Sequence, residues 1–177
     1  VFIGEKKTEK VRITYIDYDD TNFEEKQIES FDELAPLKEK STVSWINVEG
    51  VHDVEAIGKI GEIFDLHPLT VEDVTHTGQR SKIEDYGDYL FIATKMMCAD
   101  PVNKSFSSEQ ISVILGKTFV ISFLEDPGDI FDPIRKRLRN EVGRLRKRGP
   151  DYLMYAILDT IVDNYFPILE QTGEVME

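Results

Sequence analysis

Residues 67–82 read HPLTVEDVTHTGQRSK. These sixteen positions hold two histidines, the adjacent pair Glu72-Asp73, a proline, a glycine and two basic residues, and little that would fill a core. Pro68 suits the first helical position, where its missing N–H costs nothing. Glu72 and Asp73 fall in or just after the first turn, where the helix dipole favours carboxylates. Gly78 is a natural stop. The spacing predicts a short helix from Pro68 to about Thr75, ending in a turn that feeds a strand. Upstream, Asp53 is a suitable cap, and Val54, Ile57, Ile60, Gly61 and Phe64 recur at helical spacing, predicting a helix to about Leu66. Downstream, Ile83–Asp85 begins an extended segment and Gly87-Asp88 marks a bend or turn. Tyr89–Cys98 (YLFIATKMMC) is then a long apolar run with β propensity, read as a central strand.

Further outward the pattern continues in short elements. Val11–Tyr18 alternates, is β-branched and aromatic, and reads as a strand, followed by a turn over Asp19–Asn22. Glu29–Leu34 reads as a short helix stopped near Pro36. Thr42–Val48 is a strand carrying the sole tryptophan, Trp45, as a core residue, and Gly50 ends it. On the other side, Asp100–Asn103 is a loop. Phe106–Leu115 and Thr118–Leu124 flank Gly116-Lys117, a hairpin signal. Asp126-Pro127-Gly128 is a turn. Ile130–Val142 reads as a helix with a basic face. After Gly149-Pro150, Asp151 to about Glu170 reads as a long amphipathic helix with Leu153, Ala156, Ile157, Ile161 and Ile168 on its apolar stripe. Pro167 should kink its last turns. Helices before and after clustered strands, with a hairpin among them, predict an α/β fold: a mixed β-sheet sandwiched between helices (α/β/α) with a helical extension, and not a doubly wound nucleotide fold.

The chain of 177 residues suits one domain with an appended helix, and 41% hydrophobic residues make it globular. Its net charge of -13 argues against global binding to nucleic acid or to an anionic membrane surface and favours a cation partner. Cys98 is the only cysteine, so no intrachain disulfide or thiolate metal cluster can form, and a reducing, cytosolic setting is expected. No apolar run approaches the length of a membrane-spanning helix, and no signal peptide is present. The chain starts at Val1 without methionine and ends at Glu177 inside a predicted helix, so both ends read as cuts.

Enzyme templates fail. The sequence has no GxGxxG after a strand, no Walker lysine loop, no GxSxG and no HExxH. His67 and His76, nine apart, do not have a zinc spacing on one helix turn, and with His52 they read as structural or surface residues. Carboxylates carry more. Glu72 and Asp73 are adjacent on a short helix; Asp159 and Asp163, four apart, share a helix face. From spacing alone these are a solvated acidic face or ligands for a hard divalent cation, which would offset the repulsion. Residues 135–148 (RKRLRNEVGRLRKR) reverse the trend with eight basic residues and one acidic. That run either touches phosphates or lipid head groups, or compensates acidic neighbours; it has no interleaved aromatics to stack bases.

Several of these segments resemble CorA-type magnesium transporters. Trp45-Ile46-Asn47 with Gly50 and His52 resembles the family's lead-in to its first helix. His67-Pro68-Leu69, Glu72-Asp73, Gln79-Arg80 and Lys82 match its signature, and Tyr89-Leu90-Phe91 with Lys95-Met96 matches the strand that follows. Glu109-Gln110, Phe131-Asp132-Pro133, Arg135, Asp151-Tyr152-Leu153, Asp159 and Asp163-Asn164-Tyr165-Phe166 continue the similarity in order, from roughly residue 42 to 170. Ser81 departs from the proline usual after the arginine. The resemblance implies a cytoplasmic α/β/α domain over residues 1–149 and, over 150–177, the start of a long stalk helix. In the family that stalk leads to two membrane helices with a Gly-Met-Asn loop, absent here, and five copies form the pore. It further implies regulatory Mg²⁺ (or Co²⁺) bound between neighbouring copies. Asp73 matches the principal ligand, and Glu72 with Asp159, and Asp163 beside them, match a second site. The expected location is the cytoplasmic face of the membrane. Two alternatives stay open: a Zn²⁺ transporter of the same superfamily, and a free-standing soluble ion-binding module.

Overall fold

The computed structural model describes residues 2–4, 10–100, 105–126, 128 and 130–169. Three expectations fall outside these: the loop over 101–103, Pro127 in its turn, and the helix end near Glu170. Among the described residues, seven strands form one sheet: β1 (Arg12–Tyr18), β2 (Phe23–Gln27), β3 (Val43–Glu49), β4 (Lys82–Asp85), β5 (Leu90–Asp100), β6 (Ser105–Leu115) and β7 (Phe119–Leu124). Their order is β2-β1-β3-β7-β6-β5-β4. The β3–β7 pair is parallel and every other pair antiparallel, so the sheet is mixed, as expected.

Alternation along each strand makes two cores. Ile13 and Tyr15 of β1, Ile46 and Val48 of β3, Phe91 and Ala93 of β5, and Ile121 and Phe123 of β7 face one side. The helices α1 (Ala35–Glu39), α2 (Val54–Ile63) and α3 (Pro68–Thr75) cover that side through Leu37, Ile57, Ile60 and Val74. Ile16, Tyr18, Trp45, Ile92, Val113, Val120 and Leu124 face the other, beneath α4 (Asp132–Arg139), a 3₁₀ turn at Leu145–Lys147 and α5 (Pro150–Asp163). Period-two side-chain direction thus places the helices in two layers. At the α2–α3 contact, a Cβ on Gly61 would come within 2.6 Å of the Val71 side chain, so the close approach of these helices needs glycine there.

Three elements differ from expectation. β2 (FEEKQ) was not anticipated; it has no buried residue, and a charged edge strand carries no apolar alternation to read. The helix expected over Glu29–Leu34 is a 3₁₀ turn at Phe31–Glu33 capped by Ser30, and the α-helix follows it, with Pro36 in its first turn instead of at its stop. The long C-terminal helix breaks at Asn164 and resumes over 165–169. Pro167 has no N–H to donate to the carbonyl of Asp163, four residues before it, so the break precedes the proline. The helix expected to open a separate stalk also lies against the sheet: Leu153, Met154, Ala156, Ile157 and Ile161 are all buried in the second core. The sandwich therefore continues past residue 149.

Candidate cation-binding face

Helix α3 is held in place from its first residue. His67 caps it, its ring Nδ1 accepting from the Leu69 N–H at 3.2 Å. The His67 N–H donates to the Tyr89 hydroxyl at 2.9 Å, and that hydroxyl shares a 2.7 Å hydrogen bond with buried Thr70. Tyr86 stacks on Tyr89 and lies beside the His67 ring. His67 is structural, as its spacing suggested.

This anchoring sets the two carboxylates. Val74 and Thr75 are buried, which turns Glu72 outward to solvent and leaves Asp73 half-buried at the rim of the sheet. The Asp73 carbonyl accepts from two side-chain amides, Gln79 Nε2 at 2.6 Å and Gln110 Nε2 at 3.0 Å. Its carboxylate Oδ2 accepts from Lys82 Nζ at 2.6 Å, and the same ammonium reaches Glu84 Oε1 at 3.1 Å. The Tyr86 hydroxyl donates to the other oxygen of Glu84 at 3.0 Å. Partial burial works against the Lys82 charge, but hydrogen bonds to Asp73 and Glu84 outweigh it and raise its pKa. The hydrogen bond from Lys82, ahead of an opposing burial effect, holds the Glu84 carboxyl below its ordinary range. Sequence reading marked Asp73 but not its supports. Gln79 and Lys82 stand in the opening stretch, whereas Gln110 reaches Asp73 only because β6 lies two strands in from the β4 edge.

Asp159 and Asp163 lie on the exposed side of α5, in the layer opposite α3. Among the described residues Glu72, Asp159 and Asp163 make no ion pair. Nor do any three histidine, cysteine or acidic side chains among the described residues converge as a metal cage. The structure therefore does not bring the α3 and α5 carboxylates into one site within a chain. These donors are hard oxygens, the type that Mg²⁺ takes as one or two carboxylates plus water.

A family model described as "CorA-like Mg2+ transporter protein" matches residues 40–177. The chain belongs to the CorA-like Mg²⁺ transporter family. Over all 177 residues it is 37% identical to the cobalt/magnesium transport protein CorA of Thermotoga maritima, and covers 50% of that protein. Its fold is similar to the complete CorA magnesium transporter of Methanocaldococcus jannaschii, with a TM-score of 0.68 at 13% identity, over 91% of this chain and 48% of that one. It is similar also to the ZntB cytoplasmic domain of Vibrio parahaemolyticus, with a TM-score of 0.64 at 16% identity, over 94% and 65%. At those identities the likeness concerns fold alone. This CorA-family chain spans about half the length of that Thermotoga maritima relative. Among its described residues no helix is long and apolar enough to cross a membrane.

Proposed function

We propose that this chain is the cytoplasmic, cation-sensing domain of a transporter for Mg²⁺ and Co²⁺ that works as a homopentamer. The observation that carries the reading is a set of exposed carboxylates without an ion pair among the described residues, Glu72 on one layer and Asp159 and Asp163 on the other, with half-buried Asp73, held by Lys82, next to Glu72. Like charges at such positions repel unless a cation from outside the chain offsets them. A Mg²⁺ ion on Asp73 of one copy would complete its coordination from a neighbour, and a second ion would join Glu72 of one copy to Asp159 of another, with Asp163 next to Asp159. Ion binding then favours one closed arrangement of the copies, and loss of the ion loosens it by repulsion. The stalk proper begins after the break at Asn164, and the membrane helices belong to the half of the relative's length that this chain does not span.

The 37% identity to a cobalt/magnesium transport protein favours Mg²⁺ or Co²⁺ over Zn²⁺ as the transported ion. The test is ion flux through the full-length protein in proteoliposomes. Asp73→Ala should weaken inhibition by internal Mg²⁺; unchanged inhibition refutes the sensing role. Flux of Zn²⁺ in preference to Mg²⁺ would transfer the assignment to the zinc alternative.

A further inference from the structure

We propose that the Lys82 ammonium is a built-in counter-ion for Asp73, holding its carboxylate when no divalent ion is bound and moving onto Glu84 when one binds. The inference rests on Asp73 being an ion ligand. The geometry is that of a cation with two seats. Lys82 Nζ lies 2.6 Å from Asp73 Oδ2 and 3.1 Å from Glu84 Oε1, between one carboxylate on α3 and another on its own strand, β4. As it stands, two carboxylates share one positive charge.

Each neighbour determines which group can move. The Asp73 backbone cannot follow the lysine, because its carbonyl is fixed by the amides of Gln79 and buried Gln110. Glu84 is fixed as well, by the Tyr86 hydroxyl on its far oxygen. The Lys82 side chain is 30% exposed, and its head lies 5.8 Å from the centroid of the Phe91 ring. The ammonium already touches Glu84, so a small shift takes it fully onto that carboxylate. A divalent ion arriving at Asp73 repels the ammonium and offers the carboxylate twice the charge. After the exchange Asp73 faces the ion and Glu84 keeps the lysine, so each carboxylate has its own cation. Lys82 thus competes with the ion and sets the concentration at which Asp73 is occupied. It acts as a positioning and affinity-setting residue, not as a ligand.

The test uses the full-length protein and Mg²⁺, read as the Mg²⁺ concentration that half-protects it from limited proteolysis. Lys82→Met removes the competitor, and the midpoint should fall by about two- to fivefold, as expected for losing one partly exposed pair. Lys82→Gln, which keeps a polar end without charge, should fall similarly, and Lys82→Arg should stay near wild type. Thermal melts of each variant identify any that fail to fold, and the Gln and Met variants stand in for one another. A midpoint that is unchanged or raised in the uncharged variants overturns the inference. If Asp73→Asn leaves protection intact, the ligand reading itself fails and the proposal falls with it. Loss of protection in Asp73→Asn with no shift in Lys82→Met refutes the counter-ion role alone.

Discussion

The placement of α5 in the sandwich can be tested by removing one buried side chain. Ile157 is fully buried against the sheet, within a cluster containing Trp45, Val113 and Leu153. Ile157→Ala deletes three carbons. At about 0.8 kcal/mol per buried CH₂, with a further contribution for the cavity left behind, the expected loss is about 3 kcal/mol. For a chain of this size the unfolding entropy is on the order of 0.4 kcal/mol per kelvin, so the melting temperature should drop by about 8 °C. Val162, five residues further along the same helix, is 55% exposed and serves as the matched control. Val162→Ala should cost no more than about 0.5 kcal/mol, or about 1 °C. The assay is thermal unfolding of the 177-residue chain followed by circular dichroism or calorimetry. If Ile157→Ala melted within about 2 °C of wild type, α5 would not be a layer of the domain, and the second core as described here would be wrong.

Two further outcomes follow from the electrostatics. Hydrogen bonds from the Asn22 side chain, then from the Thr21 and Asn22 backbone N–H groups, hold the Asp19 carboxyl at about 2, and the hydrogen bond from Lys26, then those from the Glu29 and Ser30 N–H groups, hold Glu33 at about 2. Because both are depressed in the folded state, their stabilisation is complete above the ordinary carboxylate range and disappears as pH falls through about 2. Carboxyl ¹³C chemical shifts should show both midpoints there, and Asn22→Ala should move Asp19 back towards 3.8, its ordinary value. Arg135 on α4 is buried 3.8 Å from Glu49, with its guanidinium 5.5 Å from the Trp45 ring centroid. Glu49 also has Arg12 at 3.8 Å and accepts from the Asn47 amide at 3.1 Å, so Arg135→Ala should cost on the order of 1–3 kcal/mol in denaturant unfolding by removing one of its cations, and Glu49→Gln in the same chain should recover part of that.

Much of this architecture follows from local patterns. Alternation marked β1 and β3, the apolar run marked β5, and Gly116 marked the β6–β7 hairpin. Pro68, after a capping His67, and the Asp53 cap set the starts of α3 and α2, because capping and proline chemistry act over only a few residues. β2 was not legible, since a charged edge strand is specified by its partner β1 and not by its own periodicity. The 3₁₀ turn and α1 were misjudged because Pro36 starts a helix as readily as it stops one.

At the site, the sequence by itself determined which carboxylates exist, and that Glu72 and Asp73 sit together on one short helix. Only the tertiary structure decided what each of them faces. The strand register aims Gln110 at the Asp73 carbonyl and places Lys82 and Glu84 on the α3 side of β4, since neighbours two residues apart share a face. The layer order places Asp159 and Asp163 behind the opposite surface of the sheet. Contacts between residues far apart in the chain depend on how strands pair and which layer a helix covers. Those are properties of the folded sheet and leave no mark in the spacing of residues along a single segment.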